Sequence, residues 1–358
     1  MPSLKEIKGR INSISSTLAI TSAMKMVAAA KLQKAQMAIQ NMLPYERRLH
    51  SMLIDLMGAM NISAAASEDG SVRGSGSAER GFDQSGDRLS LSNRHDLAGM
   101  DGAYSLMAQR EVRKVAIVAF ASNSSLCGAF NSNVIREATA VINEYRASGL
   151  GDADITVYSV GRKMAEAMKK LGFPSPADFT KMSDSPSYDA ASALAQELFD
   201  GFVSGRFDKV ELVYNHYKST SSQPTTRQTY LPLSLADATA DLQAGKITDP
   251  ASETDTNRVA EPVGAPVVRQ GSPTTEDLIV EPSKEALIAT LLPKVIRLRI
   301  FTTLLDSAAA EQAARTVAMQ LATDNGNDLL QELTLEYNKG RQQKITSEIL
   351  DLVGGSMQ

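Results

Sequence analysis

The chain has 358 residues, a formal net charge of -4, 43% hydrophobic but only 5% aromatic residues, no Trp and one Cys. That length suits one large or two medium domains, a core poor in aromatics suits packed helices better than a β-sandwich, and the slight acidity argues against a nucleic-acid binder as a whole. One Cys excludes an internal disulfide framework and a zinc cage, and no apolar run approaches the roughly 18 residues of a membrane span; with no apolar stretch in the opening MPSLKEIKGRI, the expectation is a soluble protein of a reducing compartment, or one that meets a membrane only through partners.

Stepping alternately by three and four from Leu4 gives Ile7, Ile11, Ile14, Leu18, Thr21, Lys25, Ala28, Leu32, Ala35, Ile39 and Met42, and ten of these twelve positions are apolar. A seam held over more than five heptads is the pattern of a coiled coil. The plainer reading is a buried helix of a bundle, but such helices usually stop within about 20 residues. Pro2 and Ser3 suit a helix start and Pro44 is the first serious breaker, with an amphipathic stretch resuming at YERRLHSMLIDLM. Residues 1–48 hold eight bases and two acids. A nucleic-acid or acidic-lipid reading is weighed against a solvated helix face, which the apolar seam between the charges favours. Residues 63–103 are rich in Ser, Gly, Asp and Arg and read as a surface insertion.

The middle alternates strands and helices. VAIVAF (115–120), DITVYSV (154–160) and VELVYNHYK (210–218) read as strands, and RQTYLPL (227–233) as an edge strand. Helices are expected over 129–147, at RKMAEAMKKLG and over 188–203, so the pattern predicts βαβ units and a parallel sheet. A second insertion, 236–277, holds eight acids and three bases. From Ser283 to Ser356 there are 74 residues with one Pro. An unbroken helix of that length would run about 110 Å, with apolar positions from Leu287 and Leu291 through Val317, Leu330 and Tyr337 to Ile345, Ile349 and Leu352. Its natural mate is the N-terminal helix, packed antiparallel. Ala28, Ala29 and Ala30 in one helix, and Ala308, Ala309, Ala310, Ala313 and Ala314 in the other, would permit close approach.

Catalytic motifs are scarce. LQAGKIT has Ala where a phosphate loop needs its first Gly, and RGSGSAERG follows no strand. His50, His95 and His216 lack metal-ligand spacing, no G-x-S-x-G elbow occurs, and Cys127 in SSLCGAFN reads as a packing residue rather than a thiolate.

AMKMVAAAKLQKAQ (23–36) and EQAARTVAMQLATDNGNDLLQELTLEYNKGRQQKITSEILDLVGG (311–355) closely resemble the terminal helices of gamma subunits of F-type ATP synthases. SSLCGAFNSNVI, VELVYNHYKS and EPSKEALIATLLPK are also similar to that family. One departure is Asn123, Ser124 and Ser125 where the family usually carries Asp-Arg-Gly. The resemblance implies an α/β fold in which a long antiparallel coiled coil of the N- and C-terminal helices is joined to a Rossmann-like domain. The expected layout is shaft helix 1–62, polar insert 63–108, α/β foot 109–235, acidic insert 236–277 and shaft helix 278–358. It implies a rotary central stalk that couples transmembrane ion flow to conformational cycling of catalytic beta subunits. Such a stalk performs no chemistry and holds no cofactor or metal. The implied partners are the alpha and beta subunits of the ring, the epsilon subunit and the c-subunit ring, with no nucleic acid and membrane contact only through the complex. The implied location is the cytoplasmic face of the bacterial inner membrane. Coupling contacts to beta are expected at Met24 and Lys25, and at Arg341, Gln342 and Thr346. A stand-alone coiled-coil adaptor is the alternative. The acidic insert, which has no Cys, is expected either to restrain rotation or to be a solvated loop.

Overall fold

The computed structural model describes residues 3–59, 106, 110–233 and 284–355. The acidic insert 236–277, the polar insert 63–108 apart from Leu106, and with them His95, LQAGKIT and RGSGSAERG lie outside these residues; Leu106 is fully buried in the core of the α/β domain rather than on a surface insertion. Two long helices dominate, α1 (Leu4–Ala59) and, at the other end of the chain, a 72-residue helix, Lys284–Gly355. Between them the chain forms β1 (Val115–Phe120), α2 (Phe130–Ala147), β2 (Ile155–Val160), α3 (Arg162–Lys170), α4 (Thr180–Asp184), α5 (Tyr188–Val203), β3 (Lys209–Asn215) and β4 (Thr225–Leu231); the long C-terminal helix is α6.

The sheet order is β2-β1-β3-β4. β1 pairs in parallel with β2 and β3, whereas β3 and β4 are antiparallel. The sheet is therefore mixed rather than wholly parallel. The link between β3 and β4 is shorter than the dozen or more residues a parallel crossover requires, so the chain must turn back as a hairpin. All of β1 is buried, as a central strand covered on both faces must be. On one face Val115, Ile117, Ala119, Val157 and Val213 pack against α2 and α3 residues including Val134, Val141 and Met164. On the other, Ala116, Val118, Phe120, Val160 and Leu212 share a core with Leu194 and Leu198 of α5. The same core takes in Ile288, Leu292, Val295, Ile296, Ile300 and Leu304 of α6, and Leu49 and Leu53 of α1. The long helices thus supply one layer of the α/β domain before they leave it.

α1 does not stop at Pro44 but runs through it to Ala59. A proline inside a helix costs about 3 kcal/mol. Burial of Leu49 and Leu53, 4% and 3% exposed, offsets that locally, at about 1.5–3 kcal/mol for each side chain. Pro293 lies inside α6 in the same way, between buried Leu291, Leu292 and Val295. Among the described residues no helix is long and apolar enough to cross a membrane.

Candidate coupling surface

Every one of the twelve seam positions of α1 is buried or half-buried, while most residues between them are exposed. Their mate is α6. Leu18 lies against Gly326, where an added Cβ would come within 2.6 Å of the leucine Cδ2, and Leu4 lies against Gly340 at 3.1 Å. Thr21 and Thr323 are joined through their hydroxyls at 3.1 Å. Leu4 to Leu18 and Gly326 to Gly340 each span two heptads, so the pairing is antiparallel and in constant register. The same register sets Ile7, Ile11 and Ile14 level with Tyr337, Leu333 and Leu330. The alanines divide by role. Ala309 and Ala313 pack on Leu32 of α1, and Ala310 packs on Cys127 and Phe130 of the foot. Ala29 and Ala30 face outward.

Because α1 begins opposite Gly340, none of the described residues outside α6 pairs with that helix beyond this point. Residues 341–355 overhang by about 22 Å, and Arg341, Gln342 and Thr346 are all exposed. The Thr346 hydroxyl donates back to the Gln342 carbonyl at 2.9 Å, while the Gln342 side-chain amide stays open to a partner. The apolar positions there do not continue the seam. Ile345, Ile349, Leu350 and Leu352 are 48%, 55%, 65% and 74% exposed, far more than a free helix end in water should show.

Met24 and Lys25 form a second station. Both are half-buried, and Lys25 has no acceptor for its ammonium among the described residues. The Thr21–Thr323 pairing puts Lys25 level with Met319, twenty-two residues and about 33 Å below Arg341 along α6. The five residues singled out in the sequence therefore lie at two levels of the shaft, about 33 Å apart. Around Lys25 lies a collar that the seam did not reveal, made of Ile20, Met26, Val27 and Leu321, each more than half exposed. Its signal in the sequence is a second apolar stripe that runs off the heptad positions.

Lower down, α6 crosses the carboxyl ends of the parallel strands, the crevice where open α/β sheets bind ligands. Asp306 accepts from Tyr217 N at 2.8 Å and from His216 Nδ1 at 2.6 Å, just past the end of β3. A carboxylate can only accept, so the imidazole proton sits on Nδ1. Arg315, 9% exposed, donates to Ser125 O and Ser124 Oγ, both at 2.8 Å, and to Glu311 at 2.6 Å. Burial pushes the Glu311 carboxyl above its usual range, and the Arg315 guanidinium only partly opposes that. Asn123 accepts from Arg162 N at 2.8 Å and donates to Thr180 O at 2.7 Å. The Asn123–Ser125 departure from the family pattern therefore forms a loop pinned to α3, α4 and α6. Cys127, 1% exposed, is a packing residue on Phe130 and Ala310.

A family model described as ATP synthase matches residues 3–357. Among curated relatives, the ATP synthase gamma chain of Phocaeicola vulgatus is 47% identical over 357 residues, covering all of both chains. The chain belongs to the ATP synthase gamma-chain family. A more distant family member, from Flavobacterium psychrophilum, is 35% identical over 99% of this chain and 98% of that one. Among solved structures, a chain of the Euglena gracilis mitochondrial ATP synthase, in an assembly of OSCP, F1 and c-ring, aligns with a TM-score of 0.52 at 18% identity, over 99% of this chain and 93% of that one. At that identity the likeness bears on the fold alone, two long terminal helices with a central α/β unit. The full-length alignment to the Phocaeicola chain includes both insertions.

Proposed function

We propose that the chain is the rotary central stalk of an F-type ATP synthase, itself non-catalytic, turning inside a ring of alternating alpha and beta subunits. The observation that carries this reading is the overhang: residues 341–355 project past the end of α1, their mate, and expose Ile345, Ile349 and Leu352 beside Arg341 and Gln342. Apolar side chains on a projecting helix need a socket, and the ring supplies one. The collar of Ile20, Met26, Val27 and Leu321 about Lys25 is the second contact, facing a beta loop nearer the foot. The foot sits toward the membrane against the epsilon subunit and the c-ring, on the cytoplasmic face. The crevice at the strand ends supports a non-catalytic role, because Asp306 and Arg315 of the chain's own helix occupy the place where a ligand would bind.

A single shaft in a ring of three catalytic subunits presents a different face to each. Only contacts that differ between the conformations of beta can shift their equilibrium. A hydrogen bond from a charged donor such as Arg341 contributes about 1.5–3 kcal/mol, which changes a two-state ratio roughly ten- to hundred-fold. Turning the shaft by a third moves that bias from one beta subunit to the next. The test is purification of tagged chain from its own cells. Equimolar alpha and beta subunits with ATPase activity support the stalk, and recovery of the chain without them overturns it in favour of an adaptor.

A further inference from the structure

Between foot and shaft lies a small cavity bounded by Phe120 and Ala121 of β1 and its following loop, Val160 of β2, Ser183 of α4, and Ser307 and Glu311 of α6. Its free space, about 10 Å³ for the centre of a water-sized sphere, is that of one solvent molecule.

Its polar lining is incomplete in a specific way. Ser307 is 6% exposed, and its hydroxyl makes no hydrogen bond among the described residues, although a buried helix serine ordinarily donates to the carbonyl four residues back. Thr303, one turn earlier, does this, donating to Arg299 O at 2.8 Å. Glu311, 8% exposed, has one oxygen engaged by Arg315 and Gln312, while the other receives no donor among the described residues. The Ser183 hydroxyl donates to Ala121 O at 3.0 Å and keeps its lone pairs for an incoming proton. Two free acceptors and one free donor therefore converge on a space of one-molecule size. Among the described residues the fully buried side-chain polar atom without a partner is Ser159 Oγ; the Ser307 hydroxyl and the free Glu311 oxygen instead keep contact with this solvent-sized space, and polar groups facing such a space favour an ordered water.

We propose that this cavity is a binding site for one structural water. The water accepts from the Ser307 hydroxyl and donates to Glu311 and to Ser183 Oγ. A small cation would find the same oxygens, but Arg315 already supplies the positive charge to Glu311 at 2.6 Å, so a second cation would be repelled. The water would join α4 to the shaft helix, and Ser183 in turn is tied to the end of the sheet through its hydrogen bond to Ala121 O. The water would hold Glu311 toward Arg315 and thereby keep Arg315 on the loop at Ser124 and Ser125.

The test has two readouts on the whole protein. The first is a density map of the assembled complex in which ordered waters elsewhere in the foot are resolved. A solvent peak within hydrogen-bond distance of Ser307 Oγ, Glu311 and Ser183 Oγ is expected, and in Ser307→Ala that peak weakens or vanishes. The second is the thermal midpoint of the full chain in sodium, potassium and choline chloride at one ionic strength, where equal midpoints are expected. A dry cavity in the parent map overturns the proposal, as does a peak that survives unchanged in Ser307→Ala. A midpoint raised selectively by sodium or potassium replaces the water with an ion.

Discussion

The register of the two long helices can be tested with a single cysteine pair. Thr21 and Thr323 face each other with their hydroxyl oxygens 3.1 Å apart. Thr21→Cys with Thr323→Cys places two sulfurs where a disulfide fits, since such bonds need Cβ atoms about 3.5–4.5 Å apart. The native Cys127 is 1% exposed and does not compete. The two positions are 302 residues apart in sequence. Closing a loop of that size removes enough disorder from the unfolded chain to stabilise the fold by about 5–6 kcal/mol in the chain-entropy picture, with about 2–4 kcal/mol typical of measured bridges. Thr21→Cys with Leu330→Cys is the control. That pair is displaced by one heptad, about 10 Å along the axis, beyond the roughly 7 Å between Cα atoms that a disulfide can span. Under mild oxidation the matched pair should form a fast-migrating band on a non-reducing gel and raise the unfolding midpoint, with both effects reversed by reductant. Equal crosslinking of the displaced pair, or none in the matched pair, would refute the register and with it the depth of the overhang.

Gly161 sits at φ +95°, and a Cβ there would run into the Ala121 carbonyl oxygen; Gly161→Ala should cost about 3 kcal/mol or more, read by urea unfolding, and a loss under about 1 kcal/mol would contradict the crowding. Burial pushes the Glu211 carboxyl up, but hydrogen bonds from Arg227, Lys209 and Tyr145 outweigh it and hold the carboxyl below its ordinary 4.5. The stability it contributes is therefore complete above about pH 4.5 and lost as pH falls through the lower folded value, so Glu211→Gln should flatten the acid limb of a urea-midpoint series. At neutral pH the same change should cost about 3–5 kcal/mol, because Lys209 and Arg227 lose their buried partner. Arg341→Ala and Gln342→Ala should leave the isolated chain within about 0.5 kcal/mol of the parent, while ATP synthesis by the assembled enzyme falls; unchanged synthesis in both would remove that contact.

The seam was legible because apolar residues recur every 3.5 positions from Leu4 to Met42, a period that keeps one helix face against a partner over its whole length. β1 was legible because six apolar residues stand between polar boundaries. Pro44 misled because the local rule for proline carries no information about Leu49 and Leu53, whose burial lies in the far core. The direction of β4 depends on linker length, which the alternation within RQTYLPL does not encode. α4, TKMSD, is too short to show a period. The overhang was not legible either: Ile345 and Ile349 extend the run of apolar residues, and only the register set by Leu4 against Gly340 shows that they stand off the seam and that α1 has ended. The anchors Asp306 and Arg315 resemble ordinary helix charges, since their partners lie 89 and 190 residues away in sequence.

Rotation of this chain within a fixed ring can be watched directly. The most direct measurement attaches an optical probe through a cysteine at the exposed foot position Lys170, anchors the alpha–beta ring to a surface and adds ATP. Stepwise rotation of the probe in a single direction is expected for as long as ATP is hydrolysed. A probe that stays still while the anchored complexes hydrolyse ATP would contradict it.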